Sequence, residues 1–382
     1  MECTDDAAVD QIADTVIRRC LLLSLLATVV GCCLGAGFSA AATLTFTNPL
    51  RDGLTGAPLS CPDPSVIGAD RGQWRYFLFC TSDNARNAFP IWKSEDLVHW
   101  YPNGFVFPYH QQPWWAVPST GTDRSGLYWA PAMYRIENQW VFYFSTHYNP
   151  ASHALGSVVL KPGTMVLGVA TASSLAGPWH TKLLHYPTQF NAINARPQQE
   201  LGGGDIDPGV VRDPRTGQLY IFWAEQREQV WEGALSADGL TMAPNIRLAF
   251  AVSEPWECDP LSQKCTVEGP EPFYSDGRIY IMYSGASTWD STYALGVASS
   301  VAALDPAQPF VKLPQPILRT GNGFLGPGGA SPPIVGPDGE SLILYHALLH
   351  PLADHISGAR VLMLGHLNWV DGWPLINNGD AS

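Results

Sequence analysis

The sequence predicts an all-β fold, a five-bladed β-propeller, from three observations. Five short runs of strand-forming residues recur along the chain: YFLF from Tyr76, VFYF from Val141, YIFW from Tyr220, YIMY from Tyr280 and LILY from Leu342. Each follows a turn-like group that leads into an apolar segment, in order PDPSVI, WAPAMY, DIDPGVV, EGPEPFY and GASPPIV. The offsets from Asp63, Trp129, Asp207, Glu268 and Ser331 to those strand starts stay between 11 and 13 residues. Outside the leader there is almost no helical periodicity, and strands at regular spacing without helices indicate an all-β chain. A unit repeated about every 60 to 80 residues suits radial repetition, in which each sheet packs on its neighbours and leaves only short edges. An irregular β-sandwich is the alternative architecture.

Residues 1–41 read as a leader. Arg18-Arg19 precede an apolar run from Cys20 to about Gly37, and small residues follow in FSAAAT, the order of a signal peptide with its cleavage site. The run is also near the lower length limit for a membrane span, so an uncleaved anchor is the alternative. In both cases the chemistry faces outward, because the arginines favour the cytoplasmic side. Residues 42–382 then form a single catalytic propeller that, after cleavage, has no stable membrane association.

Composition limits the partners. The 382 residues are 46% hydrophobic and 14% charged, which is globular material with little room for disorder. Net charge is -13, of which the leader carries only a small part. Such an acidic surface repels phosphate backbones and argues against nucleic acid. Four cysteines lie beyond the leader: Cys61, Cys80, Cys258 and Cys265. An even number in an exported chain suggests two disulfides. Proximity favours Cys61 with Cys80 and Cys258 with Cys265, among three connectivities; zinc is the weaker alternative, since no CxxC or paired-histidine spacing accompanies them. No Asn-x-Ser/Thr sequon occurs.

Turns between the runs carry hairpin chemistry, as in DPRTGQ, SDG and GPDG, where glycine supplies the positive φ of a tight turn. Asp-Pro occurs five times, at Asp63, Asp207, Asp213, Asp259 and Asp305. The dipeptide alone is a common turn signal. Repeat phase separates them: Asp63 and Asp207 each precede their run by 13 residues, whereas Asp213 precedes Tyr220 by seven and belongs in a hairpin turn. In a propeller the innermost strands converge on the axis, so Asp63, Asp207 and Glu268 are expected in one pocket. Such a carboxylate cluster is unfavourable unless function or a cation maintains it.

At these residues the chain resembles glycoside hydrolase family 43. From Asn48 to Pro374 the series NPL, PDPSVI, SEDLVHW, WAPAMY, DIDPGVV, EGPEPFY, LGPGG, LYHA and LNWVDGWP follows the order and spacing of that family. The resemblance implies a five-bladed propeller and an inverting enzyme acting on arabinose- or xylose-containing plant glycans. It implies that Asp63 is the general base, Glu268 the general acid and Asp207 the third acid, which tunes or orients Glu268. No cofactor is required; His346 in LYHA matches a family histidine near the axis that can support a bound calcium ion or its waters. The family commonly has histidine where Gly329 stands, which puts the fifth-blade contacts in question.

The chemistry asks for the same groups. Inversion needs an ionised carboxylate to activate water and a protonated one to donate to the leaving oxygen, roughly 6.5 to 9.5 Å apart. Trp129 is placed as a sugar-stacking wall or a core aromatic between blades. His346 and Arg360 are candidate substrate contacts, each with a structural or packing role as the alternative, and the same applies to Trp114-Trp115. EGPEPFYSDGRIYIMYSGAST followed by YALGVA resembles the exo-acting arabinofuranosidase branches. The expected activity is therefore release of α-L-arabinofuranosyl units from arabinan or arabinoxylan by a secreted enzyme. β-Xylosidase and endo-arabinanase are the alternatives within the family. A non-catalytic glycan-binding propeller is the rival from another class, and retaining invertase-like or sialidase-like propellers are a third option.

Overall fold

A computed structural model describes residues 44–69, 73–122, 125–187, 189, 204–225, 228–349 and 360–382. The expected leader lies outside them. The described chain builds five sheets arranged as blades, antiparallel except where β1 joins β5 in parallel, with no α-helix among the described residues. Blade 1 holds β1 (Arg51–Asp52), β2 (Ser65–Gly68), β3 (Tyr76–Phe79), β4 (Ala88–Ser94) and β5 (His99–Phe107). Blade 2 holds β6 (Tyr128–Ile136), β7 (Gln139–His147), β8 (Met165–Ala172) and β9 (His180–His185). Blade 3 holds β10 (Asp205–Arg212), β11 (Leu219–Glu225), β12 (Gln229–Leu235) and β13 (Arg247–Ala251). Blade 4 holds β14 (Val267–Ser275), β15 (Arg278–Gly285), β16 (Ala294–Ser300) and β17 (Val311–Lys312). Blade 5 holds β18 (Leu325–Gly328), β19 (Ile334–Val335), β20 (Ser341–Leu348), β21 (Arg360–Val370) and β22 (Trp373–Ile376).

The five apolar runs seen in the sequence are the second strands, β3, β7, β11, β15 and β20. They read as continuous hydrophobic stretches because both faces are covered: six successive residues of β15, Ile279 to Ser284, are buried, as are seven of β20, Leu342 to Leu348. Aromatic side chains fill the spaces between blades. Phe79, Phe89, Phe107, Phe142 and Phe144 pack between blades 1 and 2, and Phe222, Ile281, Tyr283 and Phe310 between blades 3 and 4. Large rings bury the most apolar area per side chain.

Four of the turn-like groups upstream form or open the innermost strands β2, β6, β10 and β14, the fifth innermost strand is β18, just before GASPPIV, and each blade carries one device. A residue with left-handed backbone is followed by proline: Asp63-Pro64, Ala130-Pro131, Asp207-Pro208, Gly269-Pro270 and Gly326-Pro327, with φ of 49°, 48°, 59°, 62° and 52°. In blades 2 to 5 the pairing register slips at this dipeptide, for example between Ile206 and Gly209 and between Glu268 and Glu271. Proline has no N–H to give to the ladder, and a bulge re-aims the neighbouring side chains. Asp is among the few non-glycine residues that tolerate this backbone.

The register also shows that the three acids are staggered. Asp63 and Asp207 are themselves the left-handed residues, whereas Glu268 sits one position earlier, before Gly269, in step with Trp129 and Ile206. In the fifth blade the device falls at Gly326-Pro327, not at Ser331 as the offsets suggested. Ser331 is fully buried and its Oγ accepts the Leu344 N–H at 3.0 Å.

The ring closes between blades 5 and 1 through backbone bonds. Leu50 N donates to Leu362 O at 2.9 Å, Leu362 N to Leu59 O at 2.8 Å and Cys61 N to Arg360 O at 3.1 Å. Both expected disulfides are present, Cys61–Cys80 and Cys258–Cys265.

Candidate active site

A solvent-open pocket of about 790 Å³ lies at the axial ends of the inner strands and is lined by Asp63, Asp207 and Glu268 together. Three acids separated by more than 200 residues of chain thus share one cavity because three inner strands end there.

Asp63 is held through both carboxylate oxygens. Its Oδ2 accepts the Thr81 hydroxyl at 2.6 Å and its Oδ1 faces Arg360 Nη1 at 3.2 Å. The Cys61–Cys80 disulfide brackets this arrangement, since the two cysteines lie two and one residues before Asp63 and Thr81. Burial acts to raise the carboxyl's pKa, but Arg360 and the Thr81 bond outweigh it and hold Asp63 below the ordinary carboxylate range. Arg360 in turn stays charged: burial opposes this, and Asp63 and Asp83 overcome it.

His346 stands behind Asp63, off the pocket wall. Its Nδ1 accepts the Asp63 backbone N–H at 3.1 Å, and burial and Arg360 push its pKa down to about 3. The ring is therefore neutral with its proton on Nε2, a donor position that has no hydrogen-bond partner among the described residues. His346 is 0% exposed, and its side chain touches the Asp63 backbone and the Tyr293 ring. Among the described residues no group of three or more His, Cys, Asp or Glu side chains converges as a metal site.

Asp207 lies beside the Glu268 segment. Its N–H donates to Ser145 Oγ at 2.8 Å, and its Oδ2 accepts the Gly269 N–H at 2.9 Å. The carboxylate is thereby tied to the backbone directly after Glu268. Glu268 is 8% exposed, and its Oε1 accepts the Tyr293 hydroxyl at 2.7 Å.

Trp129 and Arg360 also line the pocket, and the Trp129 Nε1 donates to Asp83 Oδ1 at 3.0 Å, which fixes the indole plane. The adjacent Trp114 and Trp115 divide: Trp114 is 66% exposed, Trp115 is buried against Phe144, and neither lines the cavity. Asp213 lies in the hairpin turn between β10 and β11, bonded by Arg215.

Four lining residues were not anticipated. Asp83 anchors Trp129 and is a fourth carboxyl, Trp289 adds a second indole, Tyr293 bonds Glu268, and Glu271 is a fifth carboxyl. Burial pushes Glu271 well above the usual range, against the hydrogen bond that Tyr134 donates at 3.2 Å. Glu271 and Tyr293 were within quoted motifs, EGPEPFY and YALGVA; the signal was there without a partner to give it meaning.

Residues 56–374 match the family model for glycosyl hydrolases family 43. The chain belongs to this family. A family-43 member, it is a glycosidase that hydrolyses O-glycosyl bonds. It is 24% identical over 322 residues, 82% of this chain and 86% of the other, to an extracellular endo-α-(1→5)-L-arabinanase 1 of Bacillus subtilis. It is 26% identical to an extracellular exo-α-(1→5)-L-arabinofuranosidase of Streptomyces chartreusis, over 61% of this chain and 66% of that one. Among solved structures it resembles a thermostable family-43 glycoside hydrolase with a TM-score of 0.67 at 24% identity, covering 88% of this chain and 97% of the other. An α-L-arabinofuranosidase from Lactobacillus brevis matches with the same TM-score and coverage at 18% identity. At these identities the structural likeness speaks for the propeller fold.

Proposed function

We propose that this family-43 glycosidase is a secreted inverting enzyme that removes terminal α-L-arabinofuranosyl residues from plant cell-wall arabinan or arabinoxylan. The observation that carries the reading is the Asp63 carboxylate, held ionised by Arg360 and Thr81 on the wall of a pocket shared with Glu268. In this mechanism Asp63 takes a proton from water as the water attacks the anomeric carbon, and Glu268 gives its proton to the departing oxygen as the glycosidic bond breaks. Asp207, bonded to the Gly269 N–H, keeps the Glu268 segment in place and contributes negative charge beside it. Trp129 offers an indole face for the sugar. No step needs a cofactor, and the calcium ion that the family pattern suggests has no part in these transfers.

The arabinose assignment is supported by the relatives' named activities and by the YALGVA segment. An endo-arabinanase activity is the second reading, favoured by the longer match to the Bacillus enzyme; β-xylosidase activity is the third. Secretion is supported by the extracellular relatives and the leader's composition. No helix among the described residues is long and apolar enough to cross a membrane.

Hydrolysis of aryl α-L-arabinofuranoside, aryl β-D-xyloside and debranched arabinan, with products followed by NMR, tests the proposal. The expected result is release of β-arabinofuranose from chain ends. Glu268→Gln should lower the rate on arabino-oligosaccharides by about 10² to 10⁴ with unchanged folding. Retained configuration, or activity indifferent to that substitution, refutes the mechanism.

A further inference from the structure

The mechanism above leaves Tyr293 without a task, although its ring is closely fitted into the pocket wall. Its ring packs on the cross-strand pair Gly328 and His346 of blade 5. It stacks on His346, with centroids 6.0 Å apart and planes 15° from parallel. It also occupies the space of a missing side chain: a Cβ on Gly328 would lie 1.9 Å from Tyr293 Cε1. The preceding turn is pinned as well, since Asp290 Oδ1 accepts the Thr292 N–H at 2.8 Å, and Gly326, at φ +52°, lets the strand pass where a Cβ would meet Asp290 O at 2.2 Å. The LGPGG run is thus a bed for this ring.

The hydrogen bonds that reach its hydroxyl have a direction. The Gly329 N–H can only donate, and it donates to Ser284 Oγ at 3.0 Å, leaving the Ser284 proton for another acceptor. Ser284 is a side-chain partner of the Tyr293 oxygen. A phenol has one proton, and with Ser284 donating to its oxygen that proton is directed to Glu268 Oε1, 2.7 Å away. Burial, and then the Glu268 charge, push the phenol's pKa well above its usual value, so it stays a donor.

We propose that Tyr293 is a positioning residue for the general acid: it occupies Glu268 Oε1 as a hydrogen-bond donor and so confines the transferable proton to Oε2. The inference rests on Glu268 being the acid. In the reaction the Oε2–H bond breaks, the proton passes to the glycosidic oxygen, and that oxygen keeps the electron pair of the breaking C–O bond. The water oxygen forms the new bond to carbon and its proton goes to Asp63. Tyr293 then donates to the carboxylate left behind. Because its ring also packs on the histidine behind Asp63, the same side chain spaces acid from base.

The test uses two glycosides of whichever sugar the wild type cleaves, one with a 4-nitrophenyl and one with a methyl leaving group. Only the methyl glycoside needs a well-placed proton. Tyr293→Phe, folded as judged by near-UV circular dichroism and melting temperature, is expected to lose about 10- to 100-fold in kcat on the methyl glycoside and at most about threefold on the nitrophenyl one. The alkaline limb of its pH profile should move to higher pH, since a donor to the ionised form is gone. Equal losses on both substrates, or an unchanged methyl rate with an unmoved limb, would overturn the proposal and leave the ring as packing. Glu268→Gln is the control. If it loses the methyl substrate selectively and Tyr293→Phe does not, the positioning role alone fails; if Glu268→Gln shows no selectivity, the acid assignment fails and takes this proposal with it.

Discussion

Two carboxylates in this molecule face an arginine at nearly the same distance, and their pKa values move in opposite directions. Asp63 stands 3.2 Å from Arg360 at the axis, and Glu232, on β12, stands 3.4 Å from Arg247 in the body of blade 3. Asp63 is held below the ordinary range. Glu232 is pushed up to about 7, because burial outweighs the Leu304 N–H bond and the Arg247 charge. The difference lies in what else each group touches. Both Asp63 oxygens are engaged, by Thr81 and Arg360, and its arginine is only 10% exposed. Glu232 is sealed at 0% exposure, Oε1 has no hydrogen bond among the described residues, and its arginine is 28% exposed, where water weakens the charge. An arginine nearby does not by itself ionise an acid; the number of donors and the dryness of the cation decide.

The contrast can be broken or sharpened in turn. The largest effect is expected from Asp63→Asn, which keeps the shape and removes the base; kcat should fall by about 10² to 10⁴ on any substrate, measured by initial rates on folded protein. Arg360→Leu should leave the base present but easier to protonate. Because Asp63 works in its ionised form and activity is lost as pH falls through its pKa, removing the cation should move the acidic limb of kcat/KM upward by about one to three pH units. An unmoved limb would show that Thr81 alone holds the charge. Glu232→Gln should change no rate and only the stability. The folded state holds the Glu232 proton up to about pH 7, the unfolded chain only to about 4.5, so the wild type loses stability as pH rises through that window. The variant should lack this loss, which amounts to at most about 3 kcal/mol, in urea unfolding at pH 5 and 8.

The same contrast marks what the sequence could and could not disclose. The second strand of every blade was legible because burial on both faces leaves an unbroken apolar run, and four of the inner strands because a proline-containing turn group precedes each run at a near-constant offset. Counterions were not legible. Arg360 lies 297 residues from Asp63 along the chain, and nothing local distinguishes it from Arg247. Ser331 was misplaced because offsets count residues, whereas a bulge is located by backbone dihedrals. Tyr293 was hidden for a related reason: its meaning comes from a void above Gly328, and a void has no letter in the sequence.

The seam that closes the ring has a consequence for how the enzyme would fail. Cys61 N–H and Arg360 C=O are bonded to each other at 3.1 Å, a few atoms from the side chains that make the Asp63–Arg360 pair. The latch of the circle and the contact that charges the base are therefore one joint. A molecule that springs open there goes silent before its blades have lost their shape, so hydrolysis should vanish at milder heat or denaturant than strand signal does.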